Sequence, residues 1–229
     1  MIVEQREPVI ALTGLGVDVG RTPVLRALDL LVRAGEVYGI LGHNGAGKST
    51  LLRVLATLLH PACGQGTVLG ARLGSSEVRR VRASIALVGH RPAAHPHLTL
   101  EENLRHVAAL TGRPESAVMA ALEVVGLRRA AGRRADRCSQ GMLRRADLAR
   151  IVVTEPALLL LDEPHAGLDR ASFGLVDLVV QRVRARGGAS VVVSHDAPRI
   201  WALADRVGEL ADGGILARHR QPEPESEWQ

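Results

Sequence analysis

A glycine-rich loop that ends in the only lysine of the chain constrains this sequence most. It lies between an apolar run at residues 37–41 and a run with helical character at residues 51–59. The loop has nine consecutive residues: Gly42, His43, Asn44, Gly45, Ala46, Gly47, Lys48, Ser49 and Thr50. Glycines let successive backbone N–H groups face one anion, and a helix after the loop points its positive end at the same anion. The sequence therefore predicts a phosphate-binding loop, with a fortuitous glycine-rich turn as the alternative.

An acidic pair, Asp162 and Glu163, is the second candidate for nucleotide chemistry. The pair follows the apolar residues 157–161, and a buried strand delivers such residues to the carboxyl edge of a sheet. With the loop upstream, Lys48 is expected to reach the β- and γ-phosphates of a triphosphate, and Ser49 and Asp162 to hold Mg²⁺. Glu163 is then the expected general base for the attacking water. A strand that ends in an acidic turn without function is the alternative.

The strand and helix patterns predict an α/β fold, and the phosphate-binding loop motif makes its core that of a P-loop NTPase. Four apolar runs without alternation predict a mostly parallel sheet covered on both faces: residues 37–41, 85–88, 157–161 and 191–193. Two further turn-bounded runs, at residues 9–12 and 25–32, predict an N-terminal antiparallel β piece.

Helical periodicity predicts a crossover helix and an inserted helical lobe. Residues 172–186 carry apolar side chains at spacings of three and four, which suits a helix packed on the sheet. Residues 101–110 and 115–125 also have helical character, and they predict a lobe over about 99–153. We expect one ATPase domain over residues 1–220 and a disordered tail at 221–229, because proline and glutamate alternate there.

Composition limits the compartment and the partners. Apolar residues make up 46% of the chain, but no run approaches the roughly 18 residues of a membrane helix, and residues 1–10 lack a secretory signal. The two cysteines, Cys63 and Cys138, predict reduced thiols in a cytosolic protein. The net charge of +5 permits nucleic acid or an anionic leaflet as a partner, but a solvated surface explains it equally. Aromatic residues are only 2%, which argues against base-stacking platforms.

The order of the motifs resembles that of the ABC ATPases over nearly the whole chain. Ser139, Gln140, Gly141 and Met142 occupy the place of the family's signature, Leu-Ser-Gly-Gly-Gln, upstream of the acidic pair. This stretch is predicted to begin a helix whose positive end can hold a phosphate. The resemblance implies that the phosphate belongs to ATP bound on a second subunit. An ordinary serine helix cap is the alternative.

Two further segments match the family pattern. Gly167, Leu168 and Asp169 resemble the D-loop, whose aspartate crosses the dimer interface. His195 follows an apolar strand and resembles the switch histidine, which implies contact with the γ-phosphate and the attacking water; a structural histidine is the alternative.

Several positions depart from the family pattern. Gln140 and Met142 replace a glycine and a glutamine of the signature, so the cross-subunit site is expected to be weaker. His90 stands where relatives have the glutamine that senses Mg²⁺, and imidazole can bind a metal or donate to a phosphate-bound water. Val19 stands where an aromatic side chain stacks on adenine, which predicts weaker base stacking.

The resemblance implies an ATP-hydrolysing subunit that uses ATP and Mg²⁺ to power an ABC exporter. Its implied partners are a second copy, or a related ABC subunit, and integral-membrane permeases at the cytoplasmic face of the membrane; no nucleic acid is expected.

His90 and Arg144-Arg145 after the signature belong to a pattern similar to haem exporters of cytochrome c maturation, and exporters of drugs and antibiotics share much of it. A low-turnover nucleotide-binding regulator and an ABC ATPase acting on DNA or ribosomes are the rival functions. ABC ATPases that act on DNA need long coiled coils, and those that act on ribosomes carry a second ATPase unit.

Overall fold

The computed structural model describes residues 7–218, so the predicted tail at 221–229 lies outside the described residues. The strands are β1 (Pro8–Val19), β2 (Thr22–Arg33), β3 (Val37–Leu41), β4 (Cys63–Val68), β5 (Ala71–Arg72), β6 (Ile85–Val88), β7 (Leu158–Asp162), β8 (Ala189–Val193), β9 (Arg206–Ala211) and β10 (Gly214–Arg218). The helices are α1 (Lys48–Leu55), α2 (Val78–Val81), α3 (Leu100–Leu110), α4 (Ser116–Val124), α5 (Gln140–Thr154), α6 (Gly174–Ala185) and α7 (Ala197–Leu203). No helix in this part of the chain is long and apolar enough to cross a bilayer.

A six-stranded sheet positions the phosphate-binding loop and the acidic pair on one edge. Its strand order is β10-β9-β3-β8-β7-β6, and the pairs from β9 to β6 are parallel. The central strands are continuous apolar runs because helices cover one face and the second sheet covers the other. The carboxyl ends of β3, β7 and β8 therefore bring three predicted site segments together.

A four-stranded antiparallel sheet of order β2-β1-β4-β5 forms the second layer. Together with α1 it encloses one apolar core against the six-stranded sheet. The predicted antiparallel piece is present, and β1 continues to Val19, which carries that residue to the mouth of the nucleotide site.

The helical lobe consists of α3, α4 and α5, which pack together in a second apolar core. Thr99 begins α3 with a capping box: its hydroxyl oxygen accepts from the N–H of Glu102 at 3.1 Å, and the Glu102 carboxylate accepts from the N–H of Thr99 at 2.8 Å. Gly126, at φ 69°, follows the end of α4 as its pattern predicts.

Helices α1 and α6 differ most from the sequence prediction. Helix α1 ends at Leu55 instead of residue 59, because Thr57 adopts φ 60° and its hydroxyl and carbonyl oxygens accept from the Arg82 guanidinium. Helix α6 begins at Gly174 instead of residue 172, because Asp169 first caps a single 3-10 turn.

Candidate nucleotide-binding site

The phosphate-binding loop curls around its own lysine. Lys48 is the first residue of α1 and is buried, and its Nζ donates to the carbonyl oxygens of Gly42 at 2.6 Å and His43 at 2.9 Å. Gly47 has φ 100°, and a Cβ there would lie 3.0 Å from Leu25 and Val24, so only glycine fits without strain. The loop is therefore preshaped, with its ammonium group held at the base.

Ser49 and Asp162 meet across the sheet edge. The Ser49 hydroxyl donates to the Asp162 carboxylate at 2.7 Å, although β3 and β7 are separated by β8. The two predicted magnesium ligands thus present hydroxyl and carboxylate oxygens side by side.

The Glu163 carboxylate is held by the two residues that follow β8, Ser194 and His195. Its carboxylate accepts from the Ser194 hydroxyl at 2.7 Å and from the His195 N–H at 2.9 Å, and it lies 2.8 Å from His195 Nδ1. Glu163 has φ 47°, an unusual backbone angle for a residue with a side chain. The Glu163 side chain is 20% exposed and that of His195 is 72% exposed, so the pair is anchored on one side and open to solvent on the other.

One cavity of about 710 Å³ unites these groups, and its volume falls within the usual range for small-molecule sites. It is lined by Val19, Val24, Asn44, Gly45, Gly47, Lys48, Ser49, Thr50, His90, Asp162, Glu163, Ala166 and His195. Six residues of the phosphate-binding loop, the acidic pair, His90 and His195 thus line one cavity, whereas Gly42, His43 and Ala46 are not among its lining residues. Val19, 50% exposed, and Val24 supply apolar walls in place of an aromatic ring.

The residues of the predicted signature lie outside this cavity. Ser139, Gln140, Gly141 and Met142, here called the signature turn, form the start of α5. The Ser139 hydroxyl accepts from the Met142 N–H at 3.2 Å, so the serine is a helix cap, as its structural interpretation predicts. Asp169 likewise does not line the cavity and caps the next turn through the Ser172 N–H at 2.9 Å. Within one chain these residues and the phosphate-binding loop form no common pocket in the described part.

Comparison with known proteins identifies the family. A family profile described as ABC transporter matches residues 25–166, more than half of the chain. This chain belongs to the ABC transporter family. The predicted α/β P-loop fold and the predicted class, an ATP-hydrolysing ABC ATPase, are confirmed, and the chain is an ATP-binding component of an ABC transporter.

Several ABC relatives are similar over most of this chain. A cytochrome c biogenesis ATP-binding export protein of Bordetella bronchiseptica is 39% identical over 194 residues, which cover 84% of this chain and 86% of the relative. The Nod factor export ATP-binding protein I of Rhizobium johnstonii is 35% identical and covers 92% of this chain. A fluoroquinolones export ATP-binding protein of Mycobacterium tuberculosis is 35% identical and covers 85%. The chain spans 69% and 64% of the length of the latter two relatives.

Among solved structures, a dimeric ATP-binding cassette, MJ0796, in a post-hydrolysis state with ADP and Pi shares the fold. The TM-score is 0.83 at 23% identity, and the match covers 93% of this chain and 99% of that cassette.

One buried residue of this ABC ATPase is not assigned a role by sequence reasoning. Arg144, on α5, is 2% exposed and donates to the carbonyl oxygens of Gly89, Asp162, Glu163 and Pro164. Burial lowers the pKa of its guanidinium, and the nearby carboxylates partly oppose that effect. An arginine on a helix usually indicates a solvated face, and its partners lie far along the chain, so the sequence pattern carries no signal for these contacts.

A second unassigned residue, His165, supports the loop that carries Asp169. Its ring packs edge to face on Phe173 at 5.3 Å, and the Arg199 guanidinium lies 4.1 Å from the Phe173 ring centroid. Burial, and then the positive charge of Arg199, lower the pKa of His165. Through Phe173, the His165 ring therefore links the loop to the start of α6 and to Arg199 of α7.

The loop histidines His90 and His97 do not form a cluster of metal ligands within the described residues. Among the described residues, no group of three or more histidine, cysteine, aspartate or glutamate side chains is arranged to hold a metal ion. His90 lines the nucleotide cavity, whereas the His97 ring nitrogen Nδ1 lies 2.9 Å from the Arg134 guanidinium.

Proposed function

We propose that two copies of this chain enclose two ATP molecules and that their hydrolysis powers an ABC exporter in the membrane. The observation that carries this proposal is the division of the predicted ATP contacts. Lys48, Ser49, Asp162, Glu163 and His195 surround one cavity. The signature turn faces elsewhere and requires another chain to reach a nucleotide.

Nucleotide binding follows from the shape of the loop. Its backbone N–H groups and the start of α1 provide donors for phosphate oxygens, and the Lys48 ammonium exchanges two carbonyl partners for charged phosphate oxygens. Val19 and Val24 contact the base through apolar surface only. We therefore assign most of the affinity to the triphosphate and little to the base.

The oxygen donors at the cavity fit Mg²⁺. Ser49 and Asp162 offer a hydroxyl and a carboxylate, and this ion favours one or two such ligands together with substrate phosphates and water. Because no three-residue cluster is present among the described residues, we infer that the ion enters with the nucleotide. When bound, Mg²⁺ neutralises charge on the β- and γ-phosphates. His90 lines the same cavity, and we assign it a contact with the ion or with its water.

Hydrolysis is assigned to the pair of Glu163 and His195. The carboxylate, oriented by Ser194 and the His195 N–H, takes a proton from a water that attacks the γ-phosphorus. The bond from that phosphorus to the bridging oxygen breaks, which leaves ADP and inorganic phosphate. Since His195 Nδ1 faces Glu163, its Nε2 remains for the γ-phosphate. A complete base and histidine favour an active enzyme over a low-turnover regulator.

The second copy supplies the other contacts to each ATP. Ser139 and Gln140 are exposed at the start of α5, where free N–H groups can receive the partner's γ-phosphate. A Cβ on Gly141 would lie 3.2 Å from the carbonyl oxygen of Gly167, so the signature turn is in close contact with the loop that carries Asp169. ATP then favours the closed dimer, and loss of the γ-phosphate returns it to the open state.

For the cargo, we propose haem export for cytochrome c biogenesis, with permease subunits that hold this chain at the cytoplasmic face of the membrane. The 39% identity and the similar length of the Bordetella relative support this choice. A drug or antibiotic exporter is the alternative, and the fluoroquinolone relative at 35% identity supports it. Co-purification with the neighbouring permease gene product, followed by ATPase assays with haem and with fluoroquinolones, distinguishes the two by which compound stimulates turnover.

The dimer itself is tested by Glu163→Gln. This change removes the base but keeps the side-chain shape, so ATP should bind with its normal affinity while turnover falls by at least about 10³-fold. In Mg-ATP the variant should run as a stable dimer in size-exclusion chromatography with light scattering, and in Mg-ADP as a monomer. Unchanged turnover removes Glu163 from the role of base, and a variant that stays monomeric at saturating ATP contradicts the sandwich.

A further inference from the structure

We propose that Arg144 is a positioning residue that couples the signature turn to the general base, so that the nucleotide held by one face of the chain aligns the catalytic groups at the other. This inference rests on the proposed function, because it needs a nucleotide at the signature turn. It concerns a residue that touches neither nucleotide.

The contacts of Arg144 join three segments: α5 itself, the loop at Gly89 and the consecutive residues 162–164. Nη1 donates to Gly89 at 2.6 Å, next to His90 on the cavity wall. Nη2 donates to Glu163 at 2.7 Å and to Asp162 at 3.1 Å, and Nε donates to Pro164 at 3.3 Å. The guanidinium thus binds the backbone carbonyls of Glu163, the proposed general base, and of Asp162, the proposed magnesium ligand. It also binds the loop that carries His90.

The chemistry of the site requires an arginine fork. The charge is buried, and every hydrogen bond described for it goes to a carbonyl oxygen and none to a carboxylate. A planar guanidinium can satisfy carbonyls in several directions at once, whereas a lysine ammonium has only three donors at one point. A lysine here keeps the charge but cannot hold all three segments in register.

The position of Arg144 on α5 connects this fork to the partner's nucleotide. The helix begins at Gln140 with Ser139 as its cap, so Arg144 lies little more than one turn from the signature turn. A helix moves as a rigid rod, and a shift that brings Ser139 onto a phosphate also moves the guanidinium. Through the Glu163 and Gly89 carbonyls, the same shift moves the general base and the loop of His90.

The next residue provides a matched control. Arg145 is partly buried on α5, and it donates to the carbonyl oxygen of Val125, inside the helical lobe, at 3.3 Å. Its replacement removes a similar side chain from the same helix without touching the catalytic edge of the sheet.

The experiment compares Arg144→Lys, Arg144→Gln and Arg145→Gln in the full chain. The dissociation constant of a fluorescent ATP analogue, kcat, the Hill coefficient for ATP and the thermal unfolding midpoint are measured for each. For both Arg144 variants we expect ATP affinity within about twofold of the parent, kcat lower by on the order of 10²-fold, and a Hill coefficient that falls to about 1. Arg145→Gln should keep the parent values.

Three results overturn the coupling. The first is Arg144→Lys with the kcat and Hill coefficient of the parent. The second is a lower kcat with unchanged cooperativity, which means that Arg144 supports only its own site. The third is loss of folding in both variants, which makes the role structural. A parent that neither dimerises nor shows a Hill coefficient above 1 contradicts the proposed function itself, whereas a cooperative parent that tolerates both variants contradicts only the coupling.

Discussion

The nucleotide cavity and the signature turn differ in how complete they are within one chain. At the cavity, Lys48, Ser49 and Glu163 already have partners, and their side chains converge on one space. At the signature turn, Ser139 and Gln140 are exposed, and within residues 7–218 they do not line the nucleotide cavity. Under the proposed function, this difference means that one chain can bind ATP, whereas hydrolysis needs two chains.

Replacement of Ser139 by alanine should produce the largest change on the signature side of that comparison. The variant loses a donor to the γ-phosphate of the partner's ATP, so kcat should fall on the order of 10²-fold, while the affinity of the isolated chain for ATP stays constant. Steady-state ATPase assays measure kcat, and nucleotide titrations measure the affinity for ATP. Thr99→Ala is the matched control, because it removes a similar helix cap from α3, at a cost of about 1 kcal/mol in stability, away from both sites.

A mixture of two inactive variants tests directly whether the signature turn acts on the partner's nucleotide. In a mixed dimer of Ser139→Ala with Lys48→Ala, one site carries both defects and the other carries none. Turnover should therefore recover when the two proteins are combined. If the mixture stays as inactive as its components, the signature turn does not act on the partner's nucleotide.

A smaller effect is expected where the cavity contacts the adenine. Replacement of Val19 by tyrosine there should strengthen the binding of ATP. Val19→Tyr adds a ring beside the adenine, and stacking should strengthen binding of ATP by about 1 kcal/mol, which lowers the dissociation constant roughly fivefold. Isothermal titration measures it, with Leu216→Tyr on the exposed face of β10 as the control. An affinity that does not improve means that the base lies elsewhere than against Val19.

Local patterns in the sequence predict much of this site because each motif is a continuous segment with its own geometry. The run at residues 37–41 is β3, the glycines that follow shape the loop, and Asp162 ends β7 as its apolar run predicts. The parallel order of the strands then places these ends together.

The features that the sequence did not predict depend on contacts between distant segments or on turn geometry. Thr57 ends α1 early because its oxygens bind Arg82, which no local pattern reveals. The hairpin of β9 and β10 was not predicted, although Asp212 and Gly213, at φ 51° and 84°, form the kind of aspartate-glycine turn that favours one. Arg144 acts through carbonyl groups, and backbone acceptors carry no side-chain signature.

Binding of Mg-ATP by Lys48→Ala tests the account most directly. The ammonium group is the only lysine charge in the chain and lies inside the loop that is assigned to the phosphates. Titration of the purified, folded variant should show a dissociation constant at least about 10²-fold larger than that of the parent. A variant that binds Mg-ATP as tightly as the parent would contradict the assignment of this cavity to the triphosphate.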